Sequence, residues 1–154
     1  MITETEKTIT SRLKEVFNEF EVDSFPVDFQ KYDFLSPKGC ILVRFENSSV
    51  KEQQTTTAVN SEETYNFTIF AAFRYRQKHS DTYQFLTQFK TVLNGIEILN
   101  KRLVLKKTNF ENEINGDLWY SFDVEITLPI NDNYEDTSEA NQVIGILDKE
   151  IKIA

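Results

Sequence analysis

Leu118-Trp119-Tyr120-Ser121-Phe122-Asp123-Val124-Glu125-Ile126-Thr127-Leu128-Pro129-Ile130 is the stretch on which the fold turns. Leu118, Tyr120, Phe122, Val124, Ile126, Leu128 and Ile130 alternate with Trp119, Ser121, Asp123, Glu125 and Thr127. Side chains of a strand point to opposite faces in turn, so this is a long strand with one apolar face. Pro129 suits the strand's end or an edge, because proline donates no backbone hydrogen bond. Upstream, residues 109–117 are polar and contain Asn115-Gly116-Asp117, a hairpin signal. Residues 101–107 precede them, with Leu103 and Leu105 set between Arg102, Val104 and Lys106.

The same alternation marks residues 64–76, where Tyr65, Phe67, Ile69, Ala71, Phe73 and Tyr75 share one face. Residues 40–46, Cys-Ile-Leu-Val-Arg-Phe-Glu, open as a nearly continuous apolar run, which suits a strand buried on both faces. Between these two, residues 47–63 hold only Val50, Ala58 and Val59 as apolar side chains. They read as a long polar connection, a hairpin with a flexible tip. Ser36-Pro37-Lys38-Gly39 is a turn. Val27, Phe29 and Tyr32 make a short strand or an irregular link.

Two segments have helical spacing. Ile2, Thr5, Ile9, Leu13, Val16, Phe17 and Phe20 recur at steps of three and four, predicting a helix over 3–20 with Thr3 as N-cap and Glu6 closing a capping box. Ser80 or Asp81 caps a second helix through Asn94, with Gly95 as its left-handed stop. Its apolar face holds Phe85, Leu86, Phe89, Val92 and Leu93. The expected fold is α+β, a mostly antiparallel sheet of four or five strands with two helices packed on one face. Residues 1–130 form a single domain in this reading, and 131–154 an acidic linker with an apolar tail.

The chain has 154 residues and a net charge of −8. Residues 1–36 hold 8 acids and 4 bases, 37–130 hold 11 of each, and 131–154 hold 6 acids and 2 bases. So acidic a chain is ill suited to gain affinity by neutralising phosphates. One His and one Cys exclude a disulfide framework and a zinc site built from several such ligands. No apolar run is long enough to span a membrane, and the acidic, polar start is unlike a signal peptide, so a cytoplasmic protein is expected.

No catalytic set stands out. His79 lies between Lys78 and Ser80 at a strand-to-helix junction, and helix-start preference explains Ser80 and Asp81 without chemistry. Cys40 opens an apolar strand, as a buried inert thiol does. Gly39, Gly95, Gly116 and Gly145 are too scattered for a phosphate loop. No enzyme, cofactor or metal site is expected. The alternation Phe73-Arg74-Tyr75-Arg76 matches a nucleic-acid stacking platform, but the net charge favours an ordinary two-faced strand. Lys101, Arg102, Lys106 and Lys107 make a basic patch that an acidic protein surface would complement. Arg74, Arg76, Lys101, Arg102, Lys106 and Lys107 are the candidate interface residues.

Three stretches carry a family resemblance. They are Gly39-Cys40-Ile41-Leu42-Val43-Arg44-Phe45-Glu46, then Phe67-Thr68-Ile69-Phe70-Ala71-Ala72-Phe73-Arg74, then the helix from Asp81 to Gly95. A strand at Leu103 to Lys107 and Trp119-Tyr120-Ser121-Phe122-Asp123-Val124-Glu125-Ile126 follow in order. Over residues 1–130 this resembles the small tail-terminator, or tail-completion, proteins of Mu-like long-tailed phages, whose relatives cap contractile injection systems and tailocins. The resemblance implies a hexameric ring on the head-proximal end of a tail tube, assembled in the host cytoplasm. It implies the tube protein and a sheath or neck protein as partners, and neither specific nucleic-acid binding nor a membrane. Two alternatives stay open: a head-to-tail connector or neck protein of the same kind of particle, and a small α+β enzyme or ligand-binding domain.

Overall fold

The structure is a computed structural model that describes residues 1–54, 59–74 and 79–130; within these spans the side chains of 52–54, 59–60 and 79–80 are not described. Its elements are helix α1 (Ile2–Val16), strand β1 (Glu21–Ser24), a 3-10 turn (Phe29–Lys31), β2 (Gly39–Gln54), β3 (Val59–Arg74), α2 (His79–Asn94), β4 (Glu97–Ile98), β5 (Lys101–Arg102), β6 (Val104–Ile114) and β7 (Asp117–Ile130). Five strands form one sheet in the order β1-β2-β3-β7-β6, and β4 and β5 pair separately. Side-chain bonds Asn66–Asn47 and Ser48–Glu63 fix β2 and β3 as antiparallel, since one number rises as the other falls. Thr64–Thr127 and Thr68–Asp123 do the same for β3 and β7. Only β1 runs parallel to its neighbour β2. The expected α+β class and mostly antiparallel sheet therefore hold.

The described residues fall into two packed units. Met1–Val50 with Glu63–Leu128 make one, and the outer residues of β2 and β3 with the last residues of β7 belong to the other. In the first unit, one sheet face carries Ile41, Val43, Phe67, Ile69, Phe122 and Val124, and against it pack Ile9 and Leu13 of α1 and Phe89 and Leu93 of α2. Each of these residues is 0–1% exposed. Burying Phe89 and Phe122 together brings their rings to 4.5 Å, and Phe17 reaches Phe89 at 5.2 Å.

The opposite face is covered differently. Parallel strands need a crossover of about a dozen residues or more, and here residues 25–38 supply it as a strap with a single 3-10 turn. Phe34 of the strap packs with Cys40, Leu42, Ala72 and Trp119, and Phe25, Phe29, Tyr32 and Phe70 close around them. Polar ties hold the strap down: Tyr32 OH donates to Glu21 Oε2 at 2.6 Å, Leu35 N–H to Glu21 Oε1 at 3.2 Å, and Ser36 Oγ to the Glu19 carbonyl at 2.5 Å. Where the strap re-enters the sheet, Gly39 has φ +144°, and a Cβ there would stand 1.9 Å from the Ala72 carbonyl oxygen. Only glycine fits such a close approach.

Several boundaries differ from expectation. α1 starts at Ile2, so Met1 is the N-cap, no side chain caps it, and Thr3 lies inside the first turn. It ends at Val16 because Phe17 and Phe20 both turn into the core, and a Phe20 N–H to Phe17 carbonyl bond closes the turn between them. Residues 21–24 form a strand that goes unread in the sequence, since only Val22 among them is buried. The polar stretch 47–63 is mostly strand: β2 runs to Gln54 and β3 starts at Val59. Backbone pairing sustains it without apolar side chains. Residues 55–58, the tip expected to be flexible, lie outside the described residues, as do Tyr75, Arg76 and the whole linker and tail over 131–154. Gly95 is not left-handed; α2 closes with Gly95 N–H to Val92 and Ile96 N–H to Leu93 carbonyls. The left-handed residues are Leu99 and Asn100, which turn β4 into β5, and Asn115 and Gly116, which turn β6 into β7. Residues 109–114, read as part of a polar turn, complete β6.

Candidate interface

β6 is one edge of the sheet, so one side of its backbone lacks a strand partner among the described residues. It spans Val104–Ile114, whereas the other edge strand, β1, spans only Glu21–Ser24. Long edges invite pairing with other chains, and proteins blunt them with bulges and lysines. β6 shows both devices. Its register with β7 slips once between Leu105 and Lys107 and again between Phe110 and Asn112. Yet apolar side chains remain in water: Phe110 is 57%, Val104 45% and Ile114 39% exposed. Phe110 stands edge-on to Tyr120 at 5.3 Å, so its ring is held in place while it is displayed.

The bulges have a second consequence. Lys106 and Glu111, the two residues skipped by the register, line an open groove on the sheet face that the strap leaves uncovered. There Glu111 accepts a hydrogen bond from Ser121 Oγ at 2.5 Å, and Lys106 Nζ lies 3.7 Å from Glu125 Oε1. Asp123 accepts from Thr68 Oγ1 at 3.2 Å. Arg44 stands between the strap and the groove, 4.9 Å from the rings of both Phe25 and Phe70, and pairs with Glu46 at 2.6 Å. Asp123 and Glu125, which alternate with the apolar residues of β7, thus each have a partner on this face. Among the described residues no cluster of three or more His, Cys, Asp or Glu could hold a metal ion.

The candidate interface cations do not form one patch. Arg74 is turned inward: its guanidinium lies 4.1 Å from the Phe34 ring, donates to the Phe34 carbonyl at 2.6 Å and the Ser36 carbonyl at 3.3 Å, and sits 3.6 Å from Asp117 Oδ2. It staples the strap to β3 and β7, a task suited to a planar multi-donor group. Lys101 and Arg102 are exposed on β5 and make no ion pair among the described residues. Lys106 and Lys107 lie on β6, with Lys107 in register with Asp123. Arg76 lies outside the described residues. Sequence reading missed Phe110 and the edge it marks, because a single aromatic in a polar run, Thr108-Asn109-Phe110-Glu111-Asn112, has no periodicity to signal it.

Cys40 is buried in the strap cluster, and burial pushes its thiol up to about 12. Such a thiol stays protonated at neutral pH. The Tyr32 hydroxyl is raised first by burial and then by its bond to Glu21. His79 opens α2, with its side chain outside the described residues.

No helix among the described residues is long and apolar enough to cross a membrane. No curated protein matches the sequence. The profile of one family, described as Gp37 protein, matches residues 9–143, from within α1 to beyond β7. That match covers nearly the whole chain, and the chain belongs to the Gp37 family of phage-related proteins.

Proposed function

We propose that this protein is a tail terminator: a structural protein that caps the head-proximal end of a phage or phage-like tail tube as a hexameric ring, ends tube growth and presents a surface for neck or sheath. In this reading it is no enzyme, and its partners are further copies of itself, the tube protein and a neck or sheath protein. Membership of a phage family supports a role in the particle. The order of elements quoted above supports the terminator in particular.

The observation that carries the reading is the β6 edge. A closed ring needs a heterologous interface, one surface of each subunit against a different surface of the next. Unpaired strand backbone flanked by exposed Phe110 and Val104 is the material for one such surface. Native mass spectrometry of the protein with and without tube protein tests this. Six copies, alone or on tube ends, are expected. Phe110→Lys should abolish the ring while leaving the monomer folded, because Phe110 is already 57% exposed. A closed twofold dimer that buries both β6 edges, or tubes that grow unchecked in its presence, would overturn the proposal.

A further inference from the structure

A second recess lies at the turn end of the β6–β7 hairpin, away from the polar groove. It has a volume of about 290 Å³, and its apolar walls are Phe29, Phe34, Ile114 and Trp119. Phe29 meets Trp119 edge to face at 5.3 Å and Phe34 does so at 6.3 Å, so the rings are fixed by one another. The ionisable carboxylates of the recess are Asp33, exposed, and Asp117, 9% exposed. Among the described residues, no Lys or Arg lines it. The cation nearest to Asp117, Arg74, is committed to the strap by its stacking on Phe34 and its two carbonyl bonds. Tyr32 also lines the recess, but its hydroxyl proton is given to Glu21.

This is an aromatic recess with two acids, one of them already paired with Arg74 from outside its lining. Ring faces attract cations, apolar walls suit the methylene stem of a long basic side chain, and the surplus carboxylate supplies charge complementarity. At about 290 Å³ it lies at the low end of ligand-sized sites and has room for a single long side chain. We propose that it receives a lysine or arginine side chain presented by a protein partner. Burial raises the Asp117 carboxyl, Arg74 pulls it back and the charge of Asp33 pushes it up again, a field that an incoming cation relieves. The recess goes beyond the capping role and stands whether or not six copies assemble.

Trp119 is the single tryptophan of the chain and lines the recess, so the protein's tryptophan fluorescence arises at the recess. The full chain is titrated with N-acetyl-lysinamide and N-acetyl-argininamide, with N-acetyl-norleucinamide as the uncharged control. A saturable change with both cationic probes and not with the control is expected, and it should weaken as salt rises from about 0.01 M to about 1 M. Asp33→Asn should weaken both cationic probes by about two- to fivefold, the worth of one exposed ion pair. Asp33 is exposed, so this variant keeps the fold. An equal response to the control, a merely linear quench with the cations, or unchanged affinity in Asp33→Asn would overturn the assignment.

Discussion

Phe89 links the helices to the sheet. It is 1% exposed and touches Phe17 after α1 and Phe122 of β7. Truncation leaves a cavity among aromatic rings that cannot collapse without moving both elements. Phe89→Ala should therefore cost about 3–5 kcal/mol, read as a shift of the urea midpoint at unchanged slope; a loss under about 1 kcal/mol would mean the site repacks freely. Arg74 teaches the complementary point. On a strand it reads as a surface cation, but the strap brings two carbonyls, an aromatic face and an acid to it. Its charge is spent on holding the fold, and no residue-level pattern announces that. Trp119, which alternation groups with Ser121, Asp123 and Glu125, is nonetheless a core residue at 6% exposure, in the second cluster rather than under the helices.

Among the elements, the β6–β7 hairpin is the one whose geometry is set by its turn. Asn115 and Gly116 both have positive φ, at 55° and 85°. That is the two-residue turn whose twist matches its strands, and Asn-Gly is the pair that adopts it most readily. A Cβ on Gly116 would meet nothing within 4 Å, so backbone strain is the whole effect of adding one. Gly116→Ala should cost about 1–2 kcal/mol with no loss of packing. Equal unfolding midpoints for variant and parent would show that the turn relaxes. Register then follows from the turn through two slips to Val104 opposite Glu125. The slips send Lys106 and Glu111 into the polar groove, so turn and bulges together decide which charges face solvent on that side.

For the whole molecule, electrostatics sets a limit on partners. A net charge of −8 per copy, multiplied in any ring, repels a polyanion except at a concentrated basic surface. The cations once grouped together are divided between the strap staple Arg74, the β4–β5 hairpin and β6, where Lys106 is paired with Glu125. Duplex DNA should therefore bind only weakly at ~0.15 M salt, even if it passes through the assembly. Fluorescence anisotropy of a labelled duplex checks this: micromolar affinity with a steep salt dependence would contradict it.

The sequence by itself determined the class and the helix-side core. Phe67, Ile69, Phe122, Val124, Phe89 and Leu93 are buried as their spacing of two or of three and four requires, because that spacing states which face a side chain occupies. The Asn-Gly hairpin was legible for a similar reason, since it depends on two adjacent residues alone. Only the tertiary structure decided the rest. The strand Glu21–Ser24 exists because β2 offers it a parallel partner, and the polar strands beyond Glu46 exist because backbone pairs with backbone; neither leaves an apolar pattern behind. The strap followed from that parallel pairing, and with it came the second aromatic cluster, the inward turn of Arg74 and the acidic recess at Trp119. These features are contacts between residues distant in the chain. Local periodicity records the face that each residue shows, and not the partner that covers it.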